Sequence, residues 1–367
     1  MNSDPDSSAS AKKRLEEVRK QIQVVKSHLG SLEVQRKERM ARYLRGGRKN
    51  REAHKQELDE VRQQQAAVRL RGAELEMECA RLEADLGLAG SENLARARRS
   101  FRKLQSALRH DEWLVWTRSV WKFKDTESRA KTGRHPAQFS SVLPHRLIKM
   151  FSYVGETVLD PFAGMGTTLA EAWKLSRHSL GVDINPAYVQ ATQTRIDQDF
   201  QDGTSSANPG LEAEFRPVVM QGDARNLGQI PDASVQLIVT HPPYWNAVRI
   251  SALPEDLSNC GNDSYEDFLS AMEKVLAEFG RVLEPERVAA VVIGDVMRKV
   301  HGEAQLFPLH VDLVNLARRV GFLLWDIYIW ETKIRLSGGK PLLGSYPYPH
   351  KIFSQFAHNY VLVFRKR

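Results

Sequence analysis

The chain has 367 residues, with 53 Lys and Arg against 45 Asp and Glu for a formal net charge of +8. Its two cysteines, Cys79 and Cys260, lie far apart and supply neither a disulfide framework nor metal-ligand spacing, which fits a reducing, cytoplasmic compartment. No apolar stretch reaches membrane length, and the polar, acidic start Met1-Asn-Ser-Asp-Pro-Asp-Ser-Ser8 is not a signal peptide.

Charge divides the chain. Residues 1–110 carry 25 Lys and Arg against 16 Asp and Glu, whereas residues 111–367 carry 28 against 29. The first part is expected to be helical. Leu15, Val18, Ile22, Val25, Leu29 and Leu32 alternate spacings of three and four, as do Leu58, Val61, Gln65, Val68, Gly72, Leu75, Cys79, Leu82 and Leu86. Gly46-Gly47 supplies a stop and turn between them. The spacing predicts an antiparallel coiled-coil hairpin over about residues 12–45 and 51–87, each arm roughly 50 Å long. Pairing of the same seams across a homodimer is the alternative. Gln65 and Gly72 are expected to weaken one arm locally. Arg42, Arg45, Arg48, Lys49 and Arg51 cluster at the hairpin tip. Arg96, Arg98, Arg99, Arg102, Lys103 and Arg109 follow Ser91, the expected N-cap of a third helix. Together the two clusters suit phosphate contact, although a single charged residue more often marks a solvated helix face.

Residues 157–168 read Thr-Val-Leu-Asp-Pro-Phe-Ala-Gly-Met-Gly-Thr-Thr, followed by the helix-like Leu169–Leu175 and then His178-Ser-Leu-Gly-Val-Asp-Ile-Asn-Pro186. This predicts a strand, a glycine turn, a helix, and a second strand with an acid at its tip, one βαβ half of a nucleotide-binding sheet. Gly164 and Gly166 let the backbone approach a ligand, and Asp183 is spaced to accept from ribose hydroxyls. No Gly-Lys-Ser/Thr phosphate loop follows, so a nucleoside ligand without phosphates fits better. Asp202–Gly210 is small and polar and is expected to be an exposed, mobile loop.

The apolar run Val235, Leu237, Ile238 and Val239 leads into Thr240-His-Pro-Pro-Tyr-Trp-Asn246. Two prolines end ladder pairing, leaving a stiff loop with an aromatic ring at the carboxyl edge of the sheet. Such a loop can aim backbone carbonyls at the exocyclic amine of a flipped base while Tyr244 stacks on its face. An ordinary strand exit with a buried tyrosine has the same sequence features.

These segments resemble the S-adenosylmethionine-dependent DNA amino-methyltransferases that modify cytosine N4 or adenine N6. The similarity rests on His135-Pro-Ala-Gln-Phe139 with Leu143 and Leu147-Ile148, on Asp160–Thr168, on Gly181–Pro186 and on Thr240–Trp245, with Gly222-Asp223-Ala224 a weaker match. It covers about residues 112–367. It implies an α/β, Rossmann-like class I methyltransferase sheet that uses S-adenosyl-L-methionine on double-stranded DNA, in a restriction-modification setting. By resemblance, Phe162, Gly164 and Gly166 wrap the methionine end of the cofactor, Thr167 and Thr168 open the helix, and His135 and Phe139 close over the methionyl group. Asp183 holds the ribose and Asp223 accepts from the adenine amine, unless Asp223 only forms a turn. Asp160 either touches the cofactor or satisfies backbone donors at its strand end. His241, Pro242, Pro243 and Tyr244 form the catalytic loop, and Trp245 is expected to face DNA.

The chain departs from the family pattern at His241, where Ser is usual in N4-cytosine enzymes and Asp or Asn in N6-adenine enzymes. Thr240 and Trp245 lean toward the cytosine type. An exocyclic amine is a weak nucleophile, and hydrogen bonds to the Pro242 carbonyl and to His241 favour a tetrahedral nitrogen aimed at the sulfonium methyl. No Pro-Cys loop is present, so no covalent intermediate is expected.

Beyond the loop, helices are predicted over Tyr265–Gly280 and Leu309–Val320, and strands over Val288–Asp295, Phe322–Trp330 and Tyr360–Phe364. Ala247–Asp263 and Lys333–His358 read as irregular. The second carries Lys333, Arg335 and Lys340 with Tyr346 and Tyr348 and suits a loop that touches DNA backbone and bases. RNA guanine-N2 and protein glutamine methylation use related loops, and a DNA-binding subunit with an inactive site is the non-enzymatic alternative.

Overall fold

In a computed structural model the described residues are 5–45, 51–123, 140–202, 213–259, 264–332 and 356–367. His135, Phe139, Arg48, Lys49, Lys333, Arg335, Lys340, Cys260 and the segment 203–210 lie outside them. Two compact units form, Met1–Trp113 and Leu114–Arg367.

In the first unit, α1 (Pro5–Arg45) and α2 (Arg51–Asp85) pack against each other within one chain, and α3 (Ser91–Gln105) lies against α2. Leu15, Val18 and Leu32 bury against a seam of Leu58, Val61 and Leu75. Arg14–Glu78 (2.8 Å) and, nearer the turn, the bond from Arg39 Nη1 to Glu57 O (3.1 Å) tie the arms in antiparallel register. The two residues expected to weaken the seam are accommodated. Buried Gln65 donates to Glu33 Oε2 at 3.2 Å, and a Cβ on Gly72 would stand 3.0 Å from Val25 Cγ1, so this glycine brings the arms together. One detail differs from expectation: Gly90 is the N-cap of α3 and Ser91 its first residue.

The division at Trp113/Leu114 falls within α4 (His110–Trp116), and β1 (Val120–Trp121) and α5 (Val142–Phe151) follow. The nucleotide-binding half follows as β2 (Thr157–Asp160), α6 (Thr167–Lys174), β3 (His178–Asp183), α7 (Pro186–Gln201) and β4 (Val218–Gln221). The rest is β5 (Val235–Thr240), α8 (Tyr265–Val282), β6 (Leu283–Ile293), β7 (Val296–Val300), β8 (Glu303–Phe307), α9 (Leu309–Arg319), β9 (Phe322–Glu331) and β10 (His358–Lys366).

Eight strands form one sheet in the order β1-β9-β10-β6-β5-β2-β3-β4, parallel from β6 to β4, with β10 antiparallel to both β6 and β9. Side-chain alternation divides the core. Ile238, Ala289, Val291, Leu362 and Phe364 face α8 and α9, while Leu237, Val239, Ala290, Val361 and Val363 share the opposite layer with residues of α5. Local signals set the helix starts. Asn185 caps α7 by accepting from Ala187 N (3.0 Å) with Pro186 at the first turn, and Ser264 caps α8 by accepting from Asp267 N (3.1 Å). Strand order reverses between β2 and β5, so their carboxyl ends open the crevice where ligands bind in open α/β sheets. Among the described residues no helix is long and apolar enough to cross a membrane, and no His, Cys, Asp and Glu group could hold a metal.

Candidate active site at the carboxyl edge of the sheet

The glycine turn leaves β2 with Gly164 at φ +50° and Gly166 at φ +72°. A Cβ on Gly166 would stand 2.6 Å from Thr192 Cγ2, so only glycine fits. Helix α7 holds the turn from behind: Thr192 Oγ1 donates to Gly164 O (2.8 Å) and Arg195 Nη1 to Met165 O (3.0 Å). Asp183, at the tip of β3, accepts from Gly164 N and Asn185 N, both at 2.8 Å. Burial raises its pKa, with repulsion from Asp256 adding to the effect. Each carboxylate oxygen keeps a further lone pair for a hydroxyl. Phe162 and Thr167 are half-buried at the mouth of the turn. A side-chain-free cradle beside an acceptor carboxylate leaves room for a ligand that carries ribose hydroxyls.

Two residues expected to hold the cofactor lie too deep. Thr168 is fully buried in α6. Asp160 is 1% exposed and accepts from Phe162 N (3.1 Å) and Thr240 Oγ1 (2.7 Å). It acts as a strand-end clasp joining β2 to β5, and burial pushes its pKa up to about 6. Asp223 forms a turn: it accepts from Arg225 N (2.9 Å), and the Arg225 guanidinium grips both its oxygens. An adenine amine would have to share that carboxylate with a cation.

The clasp sets the position of the loop that follows β5. His241 Nε2 lies 2.6 Å from the Tyr244 hydroxyl, with the rings edge to face at 5.2 Å. Pro242 and Pro243 are buried. The Tyr244 ring rests on Gly294, just past β6, where a Cβ would stand 2.7 Å from Tyr244 Cε2 and 2.5 Å from Asn359 Oδ1. Burial raises the Tyr244 phenol pKa, so it stays neutral.

Next to Tyr244 the structure gathers residues the sequence reading missed. Asp295 accepts from His310 Nδ1 at 2.7 Å, His310 stacks on Tyr360 at 3.9 Å, and His358 meets the same ring edge-on. They come from three separate segments, joined because β10 pairs antiparallel with β6. No spacing in the sequence announces them.

Trp245, expected to face DNA, is instead 5% exposed. Its ring packs on Tyr265 (5.2 Å) and Phe307 (4.9 Å), and its φ of +49° turns the chain inward. The irregular stretch after it is ordered by Asp256, which accepts from Ser251 Oγ (2.6 Å) and Ser258 N (2.8 Å). Arg225 Nη2 donates to Glu255 O (2.7 Å) and the Tyr188 hydroxyl to Ile250 O (3.3 Å), so this segment walls the cofactor side of the crevice. In the first unit Arg45, Arg98 and Arg102 are all exposed.

A DNA methylase family model, of the N6/N4 methyltransferase type, matches residues 11–194 and 235–367. The chain belongs to this family. Among its relatives are two type II methyltransferases, M.MjaI of Methanocaldococcus jannaschii and M.MthZI of Methanothermobacter thermautotrophicus. M.MjaI is 38% identical over 103 residues, which are 26% of this chain and 34% of that protein. M.MthZI is 30% identical over 156 residues, which are 39% of this chain and 43% of that protein. Each match spans less than half of the relative's own length. The Thermus thermophilus protein TTHA0409, solved with S-adenosyl-L-methionine, is 32% identical across 40% of this chain and 53% of that chain, with a TM-score of 0.29.

Proposed function

We propose that this DNA methylase transfers a methyl group to the exocyclic amine of a flipped base in a specific DNA sequence, with cytosine N4 as the favoured acceptor. The observation that carries this reading is the Thr240–Asp160 bond of 2.7 Å, which fixes the His241–Tyr244 loop one strand away from the glycine turn. Donor and acceptor pockets thereby share one crevice.

S-Adenosyl-L-methionine supplies a methyl group activated on a sulfonium. Phe162, Gly164, Gly166 and Thr167 hold its methionine end and Asp183 its ribose. The Pro242 carbonyl and the His241 imidazole accept from the amine, drawing its lone pair out of the ring and along the transfer axis. To do so His241 Nε2 exchanges the Tyr244 hydroxyl for the base, which frees Tyr244 to present its face. The displaced amine proton leaves through His241 Nε2, the ring nitrogen that accepts from the amine. Thr240 and Trp245 are the residues by which the loop resembles the cytosine type. Arg45, Arg98 and Arg102, with Arg48 and Lys49, supply phosphate contact.

The deciding experiment incubates the protein with methyl-labelled S-adenosylmethionine and unmethylated genomic DNA and analyses the digested nucleosides by mass spectrometry. N4-methylcytosine is expected. N6-methyladenine keeps the mechanism and overturns the base, and an absence of both overturns the substrate.

A further inference from the structure

The ribbon β7–β8 has no part in the chemistry above, yet it is tied to the catalytic loop. Arg298 donates to Asn246 Oδ1 (2.9 Å) and Asn246 O (2.6 Å), two residues beyond Tyr244. Phe307, at the end of β8, packs on Trp245 at 4.9 Å. β7 itself starts two residues after Gly294, on which Tyr244 rests.

The antiparallel register pairs Val296 with Phe307, Met297 with Leu306, Arg298 with Gln305 and Lys299 with Ala304. Paired residues share a face of the ribbon. Val296 and Phe307 are buried and, with Arg298, face the catalytic loop. The opposite face therefore holds Met297, Leu306 and Lys299, with Leu306 47% exposed and Lys299 exposed. His301 (φ +49°) and Gly302 (φ +88°) close the tip in a tight left-handed turn. Arg298 and Lys299 outweigh the one acid, Glu303.

Extruding a base leaves a gap in the duplex stack, and apolar side chains such as Leu and Met fill gaps of that kind. A cation beside them finds the flanking phosphate. We propose that β7–β8 is a DNA-contacting ribbon whose Met297–Leu306 face occupies the stack vacated by the target base while Lys299 meets the adjoining phosphate. The Arg298–Asn246 bonds then link that insertion to the catalytic loop. This rests on the DNA methylation reading above.

The test uses the full chain and genomic DNA in two forms, duplex and heat-denatured, because a single strand has no stack to fill. The Met297→Ala, Leu306→Ala double variant should lose about tenfold or more in methyl transfer to duplex while staying within about twofold on denatured DNA, with unchanged cofactor affinity. Lys299→Ala should reduce the salt dependence of duplex binding by about one phosphate contact. A photo-reactive benzophenone in place of Leu306 should cross-link to duplex. Equal losses on both DNA forms, no loss on duplex, or no cross-link overturns the proposal. If the unaltered protein labels neither DNA form, the methylation reading falls, and the cross-link still decides whether the ribbon touches DNA.

Discussion

At the scale of single residues, His241 and Tyr244 behave as one unit through their 2.6 Å contact. His241→Ala removes an acceptor for the amine and is expected to lower kcat about 10²–10³-fold with cofactor affinity unchanged. Tyr244→Phe keeps the stacking ring and deletes only the competing hydroxyl, so its loss should stay within about tenfold. In the double variant the Tyr244 change should add nothing, and additive losses would show that the two side chains act separately. Asp160 makes a prediction about pH. Its folded pKa of about 6 exceeds the ordinary value near 3.9, so the folded state keeps a proton that the unfolded chain has lost. That contribution to stability is therefore greatest below about pH 4, falls as pH rises through the interval from about 4 to 6, and is constant above it. Asp160→Asn retains an acceptor for Thr240 Oγ1 and Phe162 N without the buried charge. Its melting temperature relative to the unaltered protein should rise across that interval, by the equivalent of up to about 3 kcal/mol. A flat difference would mean that the carboxyl titrates normally.

At the scale of elements, the hairpin seam carries a polar residue that is satisfied but not needed. Replacing buried Gln65 with Leu removes an amide from the seam, and Glu33 keeps Arg36 at 2.7 Å. Gln65→Leu is expected to raise the midpoint of helix melting, followed by circular dichroism, by the equivalent of about 1 kcal/mol. A lower midpoint would show that the Gln65–Glu33 bond stabilises the register. The same scale shows what the sequence discloses. Periods of three and four read directly as α1 and α2, and unbroken apolar runs read as β5, β6 and β10, because burial on both faces leaves little freedom of residue type. β7–β8 is not legible in the sequence because Met297-Arg298-Lys299-Val300 has no clean alternation and each strand is only five residues long. The burial of Trp245 is hidden in the sequence for a related reason. An aromatic residue leaving a strand looks exposed until Tyr265 and Phe307, from later elements, are folded over it. The glycine turn and the Pro-Pro-Tyr loop were legible as local backbone chemistry, whereas Asn359, His310 and Tyr360 depend on tertiary pairing.

At the scale of the molecule, chemistry and positive charge are separated. Every residue of the cofactor turn and catalytic loop lies in Leu114–Arg367, while the excess of Lys and Arg lies in residues 1–110. Deleting residues 1–88 should leave cofactor affinity intact and weaken DNA binding or alter site preference, measured by titration and by mapping methylated sites in genomic DNA. Unchanged affinity and unchanged sites would restrict the hairpin to a scaffold role. The sheet order sets a different constraint. β10 lies between β6 and β9 but is synthesised after both, and it brings Val361, Leu362, Val363 and Phe364 to the two faces of the core. On the ribosome, the nascent β2–β5 half has all its neighbours early, whereas β6 and β9 wait with open edges. The donor crevice can therefore take shape first, and the wall carrying Asn359 and Tyr360 arrives with the final strand, leaving a window in which chaperones or stray strands compete for those edges.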